Sequence, residues 1–159
     1  MKIQFSLNDD PVSINVDPSR PLRDVLRDEC DRTDVKIGCD SGRCGVCTIL
    51  IDGTVTKSCL VMAGQANGSK IVTLAGANEN PVIEDLQTAF IKHGAMQCGY
   101  CTPGFVLAAF AHITNDGSTD RAQIKKNLKG NVCRCTGYEK ILDAVEDVSR
   151  SHGARSADQ

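Results

Sequence analysis

Eight of the nine cysteines fall into two groups of four, and this grouping constrains the fold of the chain more than any other feature of its sequence. Residues 1–7 alternate polar and apolar side chains and lack the apolar stretch of a signal peptide. We therefore predict a cytoplasmic location, where thiols stay reduced and clustered cysteines are more often metal ligands than disulfides. A metal is expected at both groups.

The first group has the spacing C-x4-C-x2-C with a fourth cysteine beyond a turn, which is the plant-type [2Fe–2S] pattern. Its members are Cys39, Cys44, Cys47 and Cys59. Two ferric ions, two sulfides and four thiolates carry a net charge of about −2, so the surrounding loop has to supply many N–H donors. Glycines at 38, 42 and 45 let the backbone approach closely. Four thiolates also suit a structural zinc ion, but zinc sites more often pair two C-x2-C units, so we favour iron and sulfide.

The second group lies in QCGYCTPG and CRCTGY, and each pair of cysteines comes just before a predicted helix. Its members are Cys98, Cys101, Cys133 and Cys135. Two helix N-termini would face an anionic cluster with their unpaired N–H groups. A thioredoxin-type redox pair is the alternative for the first two cysteines, but it leaves the other two unexplained. We therefore predict a second cluster.

The remaining chemistry-bearing residues predict no catalytic site in this chain. Cys30 has no partner at a ligand spacing and is interpreted as a small, partly buried hydrophobe. Arg43 and Arg134 lie within the two cysteine loops, where they would raise a cluster potential or simply be solvated. No general acid–base set and no Gly-rich phosphate loop is present. A net charge of −2 without a basic block argues against nucleic-acid binding, and no apolar run reaches the ~18–20 residues of a membrane span.

Hydrophobic periodicity divides the chain into a β-rich and a helical half. Two hairpins, one helix and a short strand predict a β-grasp domain over residues 1–76. Four helices beyond a polar linker predict a bundle over residues 77–150, followed by a polar tail at 151–159. The predicted strands are Lys2–Leu7, Val12–Val16, Val46–Ile51, Thr54–Thr56 and Ile71–Leu74. The predicted helices are Leu22–Asp28, Pro81–Lys92, Pro103–Ile113, Arg121–Leu128 and Tyr138–Ser149.

The three motifs GCDSGRCGVC, QCGYCTPG and CRCTGY, in this order, resemble the small iron–sulfur subunit of the molybdenum hydroxylases, the xanthine oxidase family. The resemblance covers about residues 3–148. It implies an α+β chain with a plant-ferredoxin-like β-grasp domain followed by a four-helix bundle, each holding one [2Fe–2S] cluster. It also implies an electron-transfer subunit of an oxidoreductase complex that is not catalytic by itself.

The same resemblance implies partners and a direction of electron flow. A large subunit would carry molybdopterin cytosine dinucleotide, and a medium subunit would carry FAD unless a cytochrome is the acceptor, commonly in a dimer of heterotrimers. Electrons from the hydroxylation of an N-heteroaromatic, an aldehyde or a similar small substrate would pass singly through the second cluster and then the first. Gln97 and the backbone around Cys135 would hydrogen-bond the pterin.

Two other functions stay open on the sequence. A free two-cluster ferredoxin would diffuse between unrelated partners, although a ferredoxin needs only about the first 75 residues and is commonly more acidic. A zinc-stabilised interaction module would be colourless and would give no EPR signal.

Overall fold

The N-terminal half forms a five-stranded sheet, and the computed structural model describes residues 1–157 of the chain, with side chains to residue 152. The strand order is β2-β1-β5-β3-β4, in which only the β1–β5 pair is parallel. The strands are β1 Lys2–Leu7, β2 Asp10–Asn15, β3 Thr48–Ile51, β4 Thr54–Lys57 and β5 Lys70–Val72. Both hairpins turn on two residues with positive φ, Asn8-Asp9 and Asp52-Gly53, as tight hairpins require.

Helix α1, Leu22–Asp28, covers one face of this sheet. Its bounds are those predicted, because Pro21 precedes it and one face repeats apolar residues at helical spacing. Leu22, Val25 and Leu26 are fully buried and share one core with Ile3 of β1 and other strand residues.

Five further helices follow the sheet. They are α2 Leu74–Ala77, α3 Pro81–Lys92, α4 Thr102–Asn115, α5 Arg121–Leu128 and α6 Glu139–Ala157. Asn80 caps α3 by accepting from the N–H of Val82, and Asp120 caps α5 by accepting from Ala122 and Gln123. The interiors of α3 to α6 form a second core, which includes Phe90, Phe105, Ile124 and Ile141.

Several boundaries differ from the sequence prediction. Differences of one or two residues occur at β2, β3, β4, α4 and the starts of β5 and α6. The strand predicted over Ile71–Leu74 ends at Val72, and the one-turn α2 occupies the next residues. Helix α6 continues beyond Ser149 to Ala157, so the predicted tail at 151–159 begins inside a helix; residues 158–159 lie outside the described residues. Asp147 of α6 pairs with Lys92 of α3, and His152 of α6 pairs with Asp85 of α3. These contacts hold the C-terminal part of α6 against α3.

The two halves meet where strands β3 and β4 lie against α4. Leu50 of β3 belongs to the helical core although it is a strand residue, and Val72 of β5 packs against the same core. Within residues 1–157 no helix has both the length and the apolar character that crossing a bilayer would take.

Candidate iron–sulfur centres

The loop that carries the first three cysteines directs backbone N–H groups at a sulfur. The Cys39 Sγ accepts from the N–H of Arg43 at 3.1 Å and of Cys44 at 3.2 Å. The hydroxyl of Ser41, with the N–H groups of Cys44 and Ser41, lowers the pKa of Cys39 to about 5. Thiolate is the form that binds metal, so the loop prepares this sulfur as a ligand.

Backbone shape explains how the loop closes around the sulfurs. Gly42 and Gly45 have φ values of +72° and +74°, a region that side chains other than glycine rarely adopt. At Gly38 the limit is space, because a Cβ there would lie 2.6 Å from the Cys44 Sγ. The observed loop therefore depends on the glycines that the sequence prediction singled out.

The thiols of the first group are neighbours in pairs and affect one another's pKa. Burial, followed by a hydrogen bond with Cys47, raises the pKa of Cys59 to about 11, and the charge of Cys39 adds to the shift. Cys39 in turn contacts the side chain of Cys44. The structure thus brings all four cysteines of the first group together, as 39 with 44 and 47 with 59.

The second group is paired in the same way. The Sγ atoms of Cys98 and Cys135 are 3.5 Å apart and both residues are exposed. Burial, followed by a hydrogen bond with Cys133, raises the pKa of Cys101 to about 12. Burial acts in the same direction at Cys133, but the hydroxyl of Thr136 at 3.1 Å and its N–H at 3.3 Å outweigh it and lower the pKa of this thiol.

The helix starts lie near the second group, though not symmetrically. Cys101 is the residue directly before α4, as predicted. Cys135 is not directly before α6, because Gly137 and Tyr138 take positive φ and form a turn ahead of Glu139. That turn places the Tyr138 hydroxyl where it accepts from the N–H of Cys133 at 3.3 Å.

The donor set fits a [2Fe–2S] cluster. Each cysteine group offers two pairs of thiols, and a [2Fe–2S] cluster takes two thiolates on each iron. Within the described residues, no group of three or more His, Cys, Asp or Glu side chains is arranged to hold a metal ion as the side chains stand. The N–H donors of the first loop match the need of an anionic cluster.

Comparison with known proteins assigns both halves. Residues 20–90 match the family of the "2Fe-2S iron-sulfur cluster binding domain" and residues 73–146 match the "[2Fe-2S] binding domain". The chain is 43% identical to the nicotinate dehydrogenase small FeS subunit of Eubacterium barkeri, over 90% of this chain and 91% of that one. It is 38% identical to the xanthine dehydrogenase iron-sulfur-binding subunit of Escherichia coli O157:H7, over 94% of each. The chain belongs to the iron–sulfur subunits of the molybdenum hydroxylases.

Solved structures agree with this assignment. The crystal structure of quinoline 2-oxidoreductase from Pseudomonas putida 86 contains a chain that matches with a TM-score of 0.90 at 40% identity, covering 97% of the subunit and 96% of that chain. The aldehyde oxidoreductase of Desulfovibrio gigas matches with a TM-score of 0.88 at 32% identity, but there the subunit covers only 17% of the longer chain. The predicted family is confirmed, and the subunit is the iron–sulfur component of an oxidoreductase complex.

The other residues noted in the sequence take varied positions. Gln97 is exposed beside Cys98, on the same surface as Cys135. Cys30 is half-buried against the sheet core and burial raises the pKa of its thiol, as its interpretation as a small hydrophobe requires. Arg43 and Arg134 are both exposed.

Sequence reasoning missed several residues that hold the cysteine loops. Lys57 of β4 donates to the carbonyl of Gly42 at 2.6 Å. The Tyr100 hydroxyl donates to the carbonyl of Ile37 at 2.6 Å, which ties the second loop to the approach of the first. Buried Arg23 of α1 forms an ion pair with Asp40, beside Cys39. Each partner is distant along the chain, so no local pattern reveals these contacts.

Alanine at Gly38 is expected to abolish formation of the first centre. The added Cβ would lie 2.6 Å from the Cys44 Sγ and 2.9 Å from a methyl of Val46, so the sulfur has to leave its place. Iron and acid-labile sulfide should fall by half while the second centre keeps its EPR signal. Gly53→Ala is the control, because a Cβ there meets nothing within 4 Å although φ is +78°. Full iron content in Gly38→Ala would contradict the proposed position of the cluster.

Proposed function

We propose that this subunit holds one [2Fe–2S] cluster on each cysteine group and passes single electrons from a molybdenum centre on one partner to an acceptor on another. The observation that carries the proposal is the arrangement of eight cysteines as four neighbouring thiol pairs in one member of this family. Cys39 with Cys44 and Cys47 with Cys59 would each bind one iron of the first cluster. Cys98 with Cys135 and Cys101 with Cys133 would do so in the second.

The sheet and the helices correspond, in this proposal, to two cluster domains. Residues 1–76 would be the plant-ferredoxin-like β-grasp domain and residues 77–150 the four-helix domain. Separate hydrophobic cores support this division. When bound, each cluster supplies a one-electron couple; the chain's own groups hold it and donate hydrogen bonds to its sulfurs.

Exposure of two cysteines of the second group supports its assignment as the entry point for electrons. Cys98 and Cys135 are exposed together with Gln97, so a partner can approach them closely. We assign this surface to a large subunit with molybdopterin cytosine dinucleotide, with Gln97 and the backbone near Cys135 as hydrogen-bonding groups for the pterin. Cys47 of the first group is buried, and that group would serve a medium FAD subunit or a cytochrome. A dimer of such heterotrimers in the cytoplasm completes the proposal.

The substrate class follows from relatives rather than from this chain. Nicotinate, xanthine and quinoline, which appear in the names of three similar proteins, are all nitrogen heteroaromatics. We propose an N-heteroaromatic substrate for the complex, with an aldehyde as the second candidate because an aldehyde oxidoreductase is also similar.

Anaerobic purification of the full chain with its partners tests the function. We expect equal amounts of iron and acid-labile sulfide, visible absorption, and two distinct EPR signals after reduction with dithionite. Co-purification with molybdenum- and flavin-containing chains would exclude the free ferredoxin. A colourless, EPR-silent protein that contains zinc and no sulfide would refute the iron–sulfur assignment.

Removal of the Thr136 hydroxyl is expected to lower the midpoint potential of the second cluster alone. This hydroxyl donates to the Cys133 Sγ at 3.1 Å and so stabilises the more negative, reduced state. A hydrogen bond that is stronger by about 1 kcal/mol in the reduced state than in the oxidised state raises the potential of a one-electron couple by about 40 mV. Redox titration of Thr136→Val followed by EPR measures the shift.

Ser41→Ala is the matched variant for the first cluster. The Ser41 hydroxyl acts on Cys39 as the Thr136 hydroxyl acts on Cys133. Each substitution should therefore move one signal and leave the other in place. A shift of both signals in either variant would show that the two sulfurs belong to one centre, against the proposal.

A further inference from the structure

The two cysteine loops are joined by a direct backbone hydrogen bond. The N–H of Val132 donates to the carbonyl oxygen of Cys44 at 2.8 Å. Cys44 belongs to the first group, and Val132 is bonded to Cys133 of the second. One hydrogen bond and two short covalent segments therefore connect a proposed ligand of one cluster with a proposed ligand of the other.

The side chain of Asn131 also crosses the gap between the two cysteine loops. Its Nδ2 donates to the carbonyl of Gly45 at 3.0 Å and lies 3.4 Å from the Thr48 Oγ1, contacts that span more than 80 residues of sequence. Asn131 is 7% exposed and Thr48 is 3% exposed. A buried amide that loses its partners costs about 1–3 kcal/mol, so this side chain is held in one orientation.

The backbones around this amide are in contact. A Cβ at Gly104 of α4 would lie 2.3 Å from the Gly45 oxygen, and a Cβ at Gly45 would lie 2.6 Å from the Gly130 oxygen. Interiors packed this closely do not deform continuously, so the distance between the loops depends on the groups that fill the gap.

We propose that Asn131 is a positioning residue that fixes the separation of the two centres and keeps the bond from Val132 to Cys44 in place for electron transfer. A purely local role would be a bond within its own turn, and the backbone N–H of Asn131 makes that bond with Leu128. The side chain instead reaches the other half of the molecule. In this electron transfer, one electron leaves the second centre and reduces the first; no bond is formed or broken and no proton is transferred. The inference rests on the proposed function.

Magnetic interaction between the reduced centres tests this role in the full chain. Each reduced centre carries one unpaired spin, and the dipolar interaction of two spins falls with the third power of their distance. Because of this interaction, the EPR spectra of half-reduced and fully reduced protein should differ in the natural chain. In Asn131→Ala this difference should be smaller, or the strength of the interaction should vary from molecule to molecule. After pulsed one-electron reduction, redistribution of the electron between the centres should be several-fold slower. The g-values of each centre should stay unchanged.

Asn127→Ala is the matched control, since its amide bonds His112, Asp116 and Gln123, which all lie in the helical half. If Asn131→Ala loses a cluster, the isosteric Asn131→Asp, which lacks the donor, decides the question by the same two measurements. Unchanged spin interaction and unchanged redistribution in a loaded Asn131 variant would overturn the inference. Absence of two [2Fe–2S] signals in the natural chain would instead overturn the proposed function itself.

Discussion

Replacement of Cys133 by alanine is expected to remove the second [2Fe–2S] centre and to stop electron flow through the subunit. The residue is 7% exposed, contacts Cys101, and receives two hydrogen bonds from Thr136, so no other thiol can take its place without moving the loop. Iron and sulfide should fall by half, and one of the two EPR signals should disappear. Turnover of the assembled complex with its acceptor should fall to background, because the entry point for electrons is lost.

Cys30→Ala supplies the control for this experiment. Cys30 is a half-buried cysteine that packs on the sheet core and belongs to neither group. Its replacement should leave iron, sulfide and both signals unchanged. If Cys133→Ala kept both signals, Cys133 would not be a ligand, and the assignment of the second group would have to change.

Local patterns in the sequence were sufficient for the elements that local physics controls. The predicted bounds of α1, α3 and α5 are those of the structure, because Pro21, Pro81 and Asp120 mark their starts and one face of each helix is apolar. The two hairpins were also predicted, since their turns carry Asn, Asp and Gly at positions that need positive φ. The cysteine spacings identified the candidate site for the same reason, because a loop around a cluster fixes the number of residues between ligands.

Local sequence patterns did not predict the contacts between distant segments of the chain. The position of β5 between β1 and β3, parallel to one and antiparallel to the other, depends on pairing across most of the sheet half. Beyond Ser149, His152 of α6 contacts Asp85 of α3, and these two residues are 67 positions apart in the sequence. In the sequence, Asn131 and Lys57 resemble other polar residues. Only the fold places Asn131 beside Gly45 and Lys57 beside Gly42.

Alanine at Gly104 is expected to destabilise the subunit strongly, and the reason lies between the two halves rather than within the helix. Gly104 has an ordinary helical φ in α4, where alanine alone would add about 1 kcal/mol of stability. The new Cβ, however, would lie 2.3 Å from the backbone oxygen of Gly45, which cannot rotate away as a side chain would. Overpacking of this kind costs about 3 kcal/mol, occasionally more.

For a chain of this size that cost corresponds to a fall of about 6–12 °C in the melting midpoint. Circular dichroism and visible absorption should record the fall together, because separation of the halves also opens the gap beside Cys44. Gly130→Ala is the matched control in the same gap, where a Cβ would meet the end of the Lys57 side chain at 3.2 Å. Only a small change is expected there, since a shift of this flexible side chain by a few tenths of an ångström relieves the contact. Equal melting midpoints for the two variants would mean that α4 and the first cysteine loop do not touch as tightly as described, and the fixed separation of the centres would lose its structural basis.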